Sequence, residues 1–301
     1  MINNIILVTF ATQYLFNLIK IFLIYMEMAK TKLLIVTHEM SPFLELTKIA
    51  EITRQLPQAM QEKGFEIRIL MPKFGNINER RNRLHEVIRL SGMNIVIDDT
   101  DNPLIIKVAS IPAARMQVYF LDNEEYFHRK HVFNDAKGKF FEDNDERSIF
   151  FCIGALETVK KLGWAPDIVH CHGWMSALIP VYIKTNYKND PTFKNSKVVY
   201  SVYDKSFEGN LNPTFSKKAL MANMVAKDTK AFEKGDSESL QIGAITHADA
   251  VVLASENTDD AVLKFVKDSN KPILAYNLTD DFENFYNFYE EISNDELVSV
   301  A

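Results

Sequence analysis

Glycine is scarce in this chain of 301 residues, which contains ten. No G-x-G-x-x-G or G-x-x-x-x-G-K-[ST] run occurs, which excludes the standard dinucleotide cradle and the P-loop. Cysteine is scarcer still. Cys152 and Cys171 are the two present; they exclude a disulfide framework and fit a reduced, cytoplasmic protein. Positive charge is in deficit, and a formal net charge of -6 excludes a general nucleic-acid binder, which needs a basic stripe to release counterions. His170-Cys171-His172 has the look of a ligand cluster, but no C-x-x-C or H-x-x-x-H supplies a third ligand. On a strand Cys171 also faces away from the two histidines. Neither a metal nor a cofactor is expected. Without a G-x-S-x-G elbow, Cys171 and the serines lack a context for nucleophilic catalysis. Arg80, Arg81, Arg83 and Arg89 read as a solvated basic face, because no glycine turn accompanies them.

One long apolar run is present, residues 5–25. It approaches the ~20 residues that span a bilayer, yet it carries Gln13, Asn17 and Lys20, which are costly in lipid. It lacks the basic start and small-residue cleavage site of a signal peptide. The preferred reading is an upstream extension outside the fold, with a mis-assigned start as one origin. The other reading is an anchor, with Lys30 and Lys32 holding the following domain on the cytoplasmic side. No membrane partner is expected unless that anchor is real.

From Met28 onward, strands and helices alternate. Lys32–Thr37 is a β-branched, apolar first strand. Ser41-Pro42 reads as a helix start, with a helix from about Phe43 to Lys63, kinked at Pro57 and stopped at Gly64. Glu66–Met71 is the second strand, so a βαβ unit and a parallel sheet are expected. Short β runs at 94–97, 104–109 and 116–121 interrupt the alternation and are expected to pair as hairpins near one edge. Residues 122–145 read as an irregular loop and 143–162 as a helix with Phe151 and Cys152 in the core. Further helices are expected over 176–184, 216–234, 238–246 and 256–267, and strands at 197–202, 250–254 and 272–275. The expected architecture is α/β, a doubly wound Rossmann-like parallel sheet.

The tail differs. Residues 279–296 carry seven acids and no base. Phe282, Phe285, Tyr286 and Tyr289 fall at i, i+3, i+4 and i+7, an aromatic stripe for docking, with Thr279 as the cap. The expected organisation is a hydrophobic extension (1–27), one domain (28–276) and an acidic amphipathic C-terminal helix (277–301).

Pro166–Leu178 is the stretch with most chemistry. A short apolar run ending in polar residues and Gly173 delivers side chains to the carboxyl rim of a parallel sheet, where ligands bind. His38, His170 and Tyr203 at three adjacent strand ends would line a ligand crevice there. Residue spacing names no reaction.

Glu39-Met-Ser-Pro-Phe-Leu-Glu-Leu-Thr-Lys-Ile-Ala-Glu-Ile-Thr-Arg-Gln-Leu-Pro-Gln-Ala-Met60 resembles E-x-x-P-F-x-K-x-G-G-L-A-D-V-x-x-x-L-P-x-A-L of bacterial glycogen and plant starch synthases. Gly64–Phe74, Asp167–Leu178 (against D-x-V-H-x-H-D-W-H-x-x-L), Val199–Gly209 and Ser239–Asp249 resemble further blocks of the same family, in the same order. The resemblance implies the N-terminal, glucan-receiving half of a GT-B glycosyltransferase that moves glucose from ADP-glucose or UDP-glucose to α-1,4-glucan. It carries a catalytic assignment to His170 and His172, and substrate binding to Glu45, Thr47, Lys48, Trp174, Tyr203 and Asp204. The departures fall in those positions. K-x-G-G becomes Glu45-Leu46-Thr47-Lys48, which sets a carboxylate and two Cβ atoms where a diphosphate must approach backbone amides. H-D-W-H becomes His172-Gly173-Trp174-Met175, and the H-N pair becomes Tyr203-Asp204. After Tyr276 there is room for the tail helix and not for the second domain such enzymes close over the donor. The expectation is a synthase-like protein weakly active or inactive alone. The alternative is a non-catalytic pseudoenzyme that binds glucan or partners a full-length synthase or another copy of itself.

Overall fold

The computed structural model describes residues 30–111, 114, 116–275 and 282–298. The expectations for residues 5–25 and for a cap at Thr279 lie outside the described residues. Among the described residues, no helix is long and apolar enough to cross a membrane.

Ten strands make the sheet: β1 (Lys32–Thr37), β2 (Glu66–Pro72), β3 (His85–Glu86), β4 (Met93–Ile97), β5 (Thr100–Ile111), β6 (Met116–Asp122), β7 (Ile168–His172), β8 (Lys197–Val202), β9 (Ala250–Leu253) and β10 (Ile273–Leu274). Their order is β10-β9-β8-β7-β1-β2-β6-β5-β3, with β4 paired to β5. From β10 to β6 every pairing is parallel. β5 is antiparallel to β6, β4 and β3, so the short β runs do form hairpins at one edge. In β7 every residue is buried, which requires cover on both faces and explains why its sequence reads as a continuous run. In β4 exposure alternates, with Asn94 and Val96 open to solvent.

The principal helices are α1 (Ile49–Glu62), α2 (Asn144–Leu162), α3 (Ile179–Lys184), α4 (Ser237–His247), α5 (Asp260–Asp268) and α6 (Glu283–Val298). Ile49, Ile52, Leu56 and Met60 of α1 are buried as one face, and Gly64 leaves it at φ 100°. α2 ends at Gly163 in the left-handed region, and Phe151 and Cys152 are fully buried in it.

Several boundaries differ from expectation. α1 starts at Ile49 rather than near Phe43, because residues 40–48 fold as a turn around the buried Glu39 carboxylate. Met40 bridges Leu44, and the N–H groups of Leu46 and Thr47 donate to Glu39 Oε2 at 2.6 and 2.9 Å. The expected helix over 216–234 is instead one turn at Phe215–Lys218, irregular chain, and a 3-10 turn at Lys230–Phe232. Side-chain acceptors take the backbone donors a helix would use: Asn186 accepts from Asn223 N–H and Asp228 from Val225 N–H, the competition that short polar side chains offer. The helix expected from Ser176 divides into a 3-10 turn (Trp174–Ser176) and α3, with Pro180 in its first turn. α5 begins only at Asp260, where Asp259 accepts from Ala261 N–H. Residues 122–145 include one helical turn, Glu124–Phe127.

The tail does dock. Phe282, Phe285, Phe288, Tyr289 and Ile292 are buried, while Tyr286 sits at the flank with Lys63 5.1 Å over its ring. The buried stripe therefore includes Phe288, which the sequence spacing left out.

Candidate functional site

The chain lays β1, β2 and β6 to one side and β7 to β10 to the other, so the direction of strand addition reverses between β1 and β7. Crevices at such switch points, at carboxyl strand ends, are where open α/β sheets bind ligands. A cavity of about 690 Å³ opens there. His38 follows β1, Trp174 follows β7, Tyr203 to Ser206 follow β8, and Ala254 to Asn257 follow β9; all line it. The opposite wall is the 46–49 turn, Asn76 and residues 130–135.

Of the residues singled out from sequence, Thr47, Lys48, Trp174, Tyr203 and Asp204 are brought together around this cavity. Glu45 is not among the lining residues; it is exposed and accepts from Ser41 Oγ at 2.6 Å. His170 and His172 lie beneath the wall, fully buried. Register explains the depth. His170 pairs with Ile35 and Val199, two residues inside the rim, and His172 with Thr37 and Ser201. His170 is closed off from the tail side by Tyr289, whose phenol oxygen is 2.6 Å from Nδ1, and its Nε2 is 2.8 Å from Ser201 Oγ. His172 Nδ1 is 2.7 Å from Tyr203 Oη, and its Nε2 has no partner among the described residues. Burial, followed by the neighbouring His172, drives His170 well below the usual imidazole pKa. Burial and His38 bring His172 down to about 3. Both rings are neutral near pH 7.

Glu39 organises the turn that forms one wall. Its carboxylate accepts from Leu46 and Thr47 N–H and, at 2.5 Å, from Thr47 Oγ1. Thr47 Oγ1 in turn accepts from Ile49 N–H at 3.1 Å, at the start of α1. Burial alone would raise the Glu39 pKa. His38, 3.6 Å away, and the Thr47 hydroxyl and amide outweigh that and hold it below the usual carboxylate range.

Trp174 meets Phe133, Phe140 and Phe207 at centroid distances of 5.0, 6.0 and 5.2 Å, so its buried indole is held in a cluster of rings at the edge of the cavity. Asp204 accepts from Ser255 Oγ. Lys48 and Lys130 are exposed on the wall, with no ion pair among the described residues. Sequence reading missed Lys130, His131 and the 254–257 loop. The rule that strand ends carry ligands would have found the last of these, since Ala254 directly follows β9. Nothing local marks residues 130–131, which reach the wall through an irregular loop.

A parallel sheet wound in two directions, with a cavity at its switch point and antiparallel hairpins on one edge, is the N-terminal domain architecture of GT-B glycosyltransferases. The catalytic domain of starch synthase IV from Arabidopsis thaliana, solved with ADP and acarbose, superposes with a TM-score of 0.68 over 85% of this chain and 53% of its own, at 15% identity. The chain belongs to the starch synthase catalytic domain family, whose pattern matches residues 32–270. It is 37% identical to the glycogen synthase of Chlorobium limicola over 233 residues, covering 77% of this chain and 47% of that one. It is 38% identical to the glycogen synthase of Chlorobaculum tepidum over 244 residues, covering 79% and 49%. The chain thus spans about half the length of these curated relatives.

Proposed function

We propose that this chain is a glycogen/starch synthase-like protein of α-glucan biosynthesis. Its cavity is the acceptor-side part of a site that moves glucose from ADP-glucose or UDP-glucose to α-1,4-glucan, and by itself it transfers glucose weakly or not at all. The observation that carries this is the turn at residues 45–48. A leaving diphosphate needs preorganised donors and positive charge. Here the Leu46 and Thr47 amides are already spent on the buried Glu39 carboxylate, and Glu45 adds a negative charge beside them. Lys48 and Lys130 are the cations left to meet a phosphate on this wall. His172, buried and neutral, bonds the Tyr203 phenol, and His170 bonds Tyr289 and Ser201; neither histidine lines the cavity. Two buried free thiols suit a reducing, cytoplasmic setting. Pairing with a full-length synthase would supply the groups this wall lacks; association with a second copy is the other partnership this reading allows.

The second reading, a glucan-binding protein without transfer activity, is favoured by the half-buried Phe133 on the cavity lining, which offers ring surface to a sugar face with the buried Trp174 packed behind it. Calorimetric titration of the full chain with ADP-glucose and separately with maltoheptaose, alongside a radiolabelled glucose-transfer assay, tests both. The expected result is maltoheptaose binding with little or no donor binding and at most slow transfer. Micromolar ADP-glucose binding with rapid transfer overturns the inactive assignment, and binding of neither overturns both readings.

A further inference from the structure

Arg147, near the start of α2, is fully buried. Among the described residues no carboxylate pairs with it: the acids beside it in sequence, Asp143, Asp145 and Glu146, pair with Arg129 and Lys218. Its guanidinium lies 5.5, 5.5 and 5.6 Å from the ring centroids of Phe74, Phe127 and Phe141. Burial, followed by the Arg129 charge, brings its pKa down to about 10, so it stays protonated at pH 7. A buried charge without a counter-ion is costly, and an apolar side chain would fill the same space among three phenyl rings without that cost.

An apolar side chain could not set hydrogen bonds there. Arg147 Nε donates to the Tyr126 carbonyl at 2.8 Å and Nη1 to Asn144 Oδ1 at 2.5 Å. A guanidinium only donates, so the oxygen of the Asn144 amide is the end that faces it. The Asn144 NH2 group is thereby turned the other way, and it donates to the Phe133 carbonyl at 2.9 Å. Asn144 is itself fully buried, where low local dielectric makes either end of the amide costly to leave unpaired. Phe133 lines the cavity, and its ring packs against His38 at 5.5 Å and Trp174 at 5.0 Å. The loop that carries it is closed by Arg129, which bridges to Asp143, and by Phe141 N–H, which donates to the same Phe133 carbonyl at 2.9 Å.

We propose that Arg147 is a positioning residue for the cavity: by orienting the Asn144 amide it fixes the Phe133 carbonyl, and with it the ring that Phe133 presents to a sugar face. The buried charge near the start of α2 and the cavity wall are coupled through two hydrogen bonds, although Arg147 does not itself line the cavity. A sugar face as the occupant rests on the reading above; the placement of Phe133 by Arg147 and Asn144 does not.

The test uses the full chain and two variants of the relay. Asn144→Asp keeps the size of the side chain and gives Arg147 a counter-ion, but replaces the donor to Phe133 with a second acceptor. Arg147→Lys keeps the charge and loses the planar fork that holds Tyr126 and Asn144 together; it keeps the test open if Asn144→Asp does not fold. Lys139→Ala, on an exposed stretch of the same loop, is the control. The proton shifts of the His38 ring report the Phe133 ring beside it without any ligand. They are expected to move in Asn144→Asp and in Arg147→Lys and to stay in Lys139→Ala. Maltoheptaose affinity is expected to fall about three- to tenfold in both relay variants, roughly the loss of one hydrogen bond, and to stay level in the control. Unmoved His38 shifts in both relay variants overturn the proposal, and so does a control that moves as far as they do. Moved His38 shifts with level maltoheptaose affinity overturn its cavity half. If the His38 shifts move and the unaltered chain binds no maltoheptaose, the positioning is upheld and the glucan reading is what fails.

Discussion

The His38 imidazole occupies the space a side chain at residue 173 would need: a Cβ on Gly173 would stand 2.1 Å from His38 Cε1 and 2.3 Å from Nδ1. Gly173 also holds φ 75° and ψ 165°, a conformation essentially confined to glycine. Any side chain at this position, an aspartate included, has no room beside His38.

Gly173→Ala is expected to combine backbone strain of about 1–3 kcal/mol with the His38 clash. His38→Ala in the same chain should relieve the clash and leave the strain. A double-mutant cycle by urea unfolding is expected to show a favourable coupling of about 1 kcal/mol or more. Strict additivity would mean that the two residues do not compete for space.

Glu39 sets a pH dependence. Its carboxyl is held below its ordinary 4.5 in the folded chain, so it contributes stability that is complete above about pH 4.5 and lost as pH falls through the folded value. Glu39→Gln is expected to cost about 2–3 kcal/mol at pH 7, where three donors lose a charged acceptor. The variant should also lose less stability than the parent between pH 4.5 and acid unfolding. Parallel stability–pH curves for the two chains would contradict this.

The tail helix covers apolar surface rather than extending from it. Truncation before Phe282 removes Phe282, Phe285, Phe288, Tyr289 and Ile292 from the core, at roughly 1.5–3 kcal/mol for each side chain as an upper range. The truncated chain is expected to bind a hydrophobic dye and to melt at least ten degrees lower, which at about 2–4 °C per kcal/mol is a loss of about 3–5 kcal/mol or more. An unchanged melting temperature and solubility would show that the helix is dispensable.

Lys48 and Lys130 are the exposed cations facing the cavity without an ion pair among the described residues. Single changes to Ala are expected to lower whatever ADP affinity the cavity has by roughly two- to fivefold each, with a shallower salt dependence and no change in melting temperature. ADP binding that is indifferent to both lysines and to salt would place the phosphates elsewhere.

Much of the fold was legible. β1 reads as an almost continuous apolar run because a parallel strand covered on both faces needs it so, and Gly64 and Gly163 mark helix ends by the left-handed conformation they adopt. The Pro166–Leu178 stretch pointed to the end of the sheet where the cavity opens. The turn at 40–48 was not legible as a turn, since Ser41-Pro42 is also a sound helix start. Only a carboxylate at Glu39, enclosed and seeking donors, makes the extra helical turn the costlier choice. The irregular course of 219–229 was hidden for the same reason, because its competing acceptors include Asn186, more than thirty residues earlier.

Order, class and face are what the sequence by itself determined: which segments are strands, that they run parallel, which end carries polar residues, and that the tail has one apolar side. These follow from periodicity within a few residues. The tertiary structure alone decided that His170 and His172 lie beneath the cavity instead of in it, and that Lys130 reaches its wall. It also decided that His38 fills the place beside Gly173. Burial, tautomer and the partner of a hydrogen bond depend on atoms brought together from distant parts of the chain, such as His170 and Tyr289, and no local pattern encodes them.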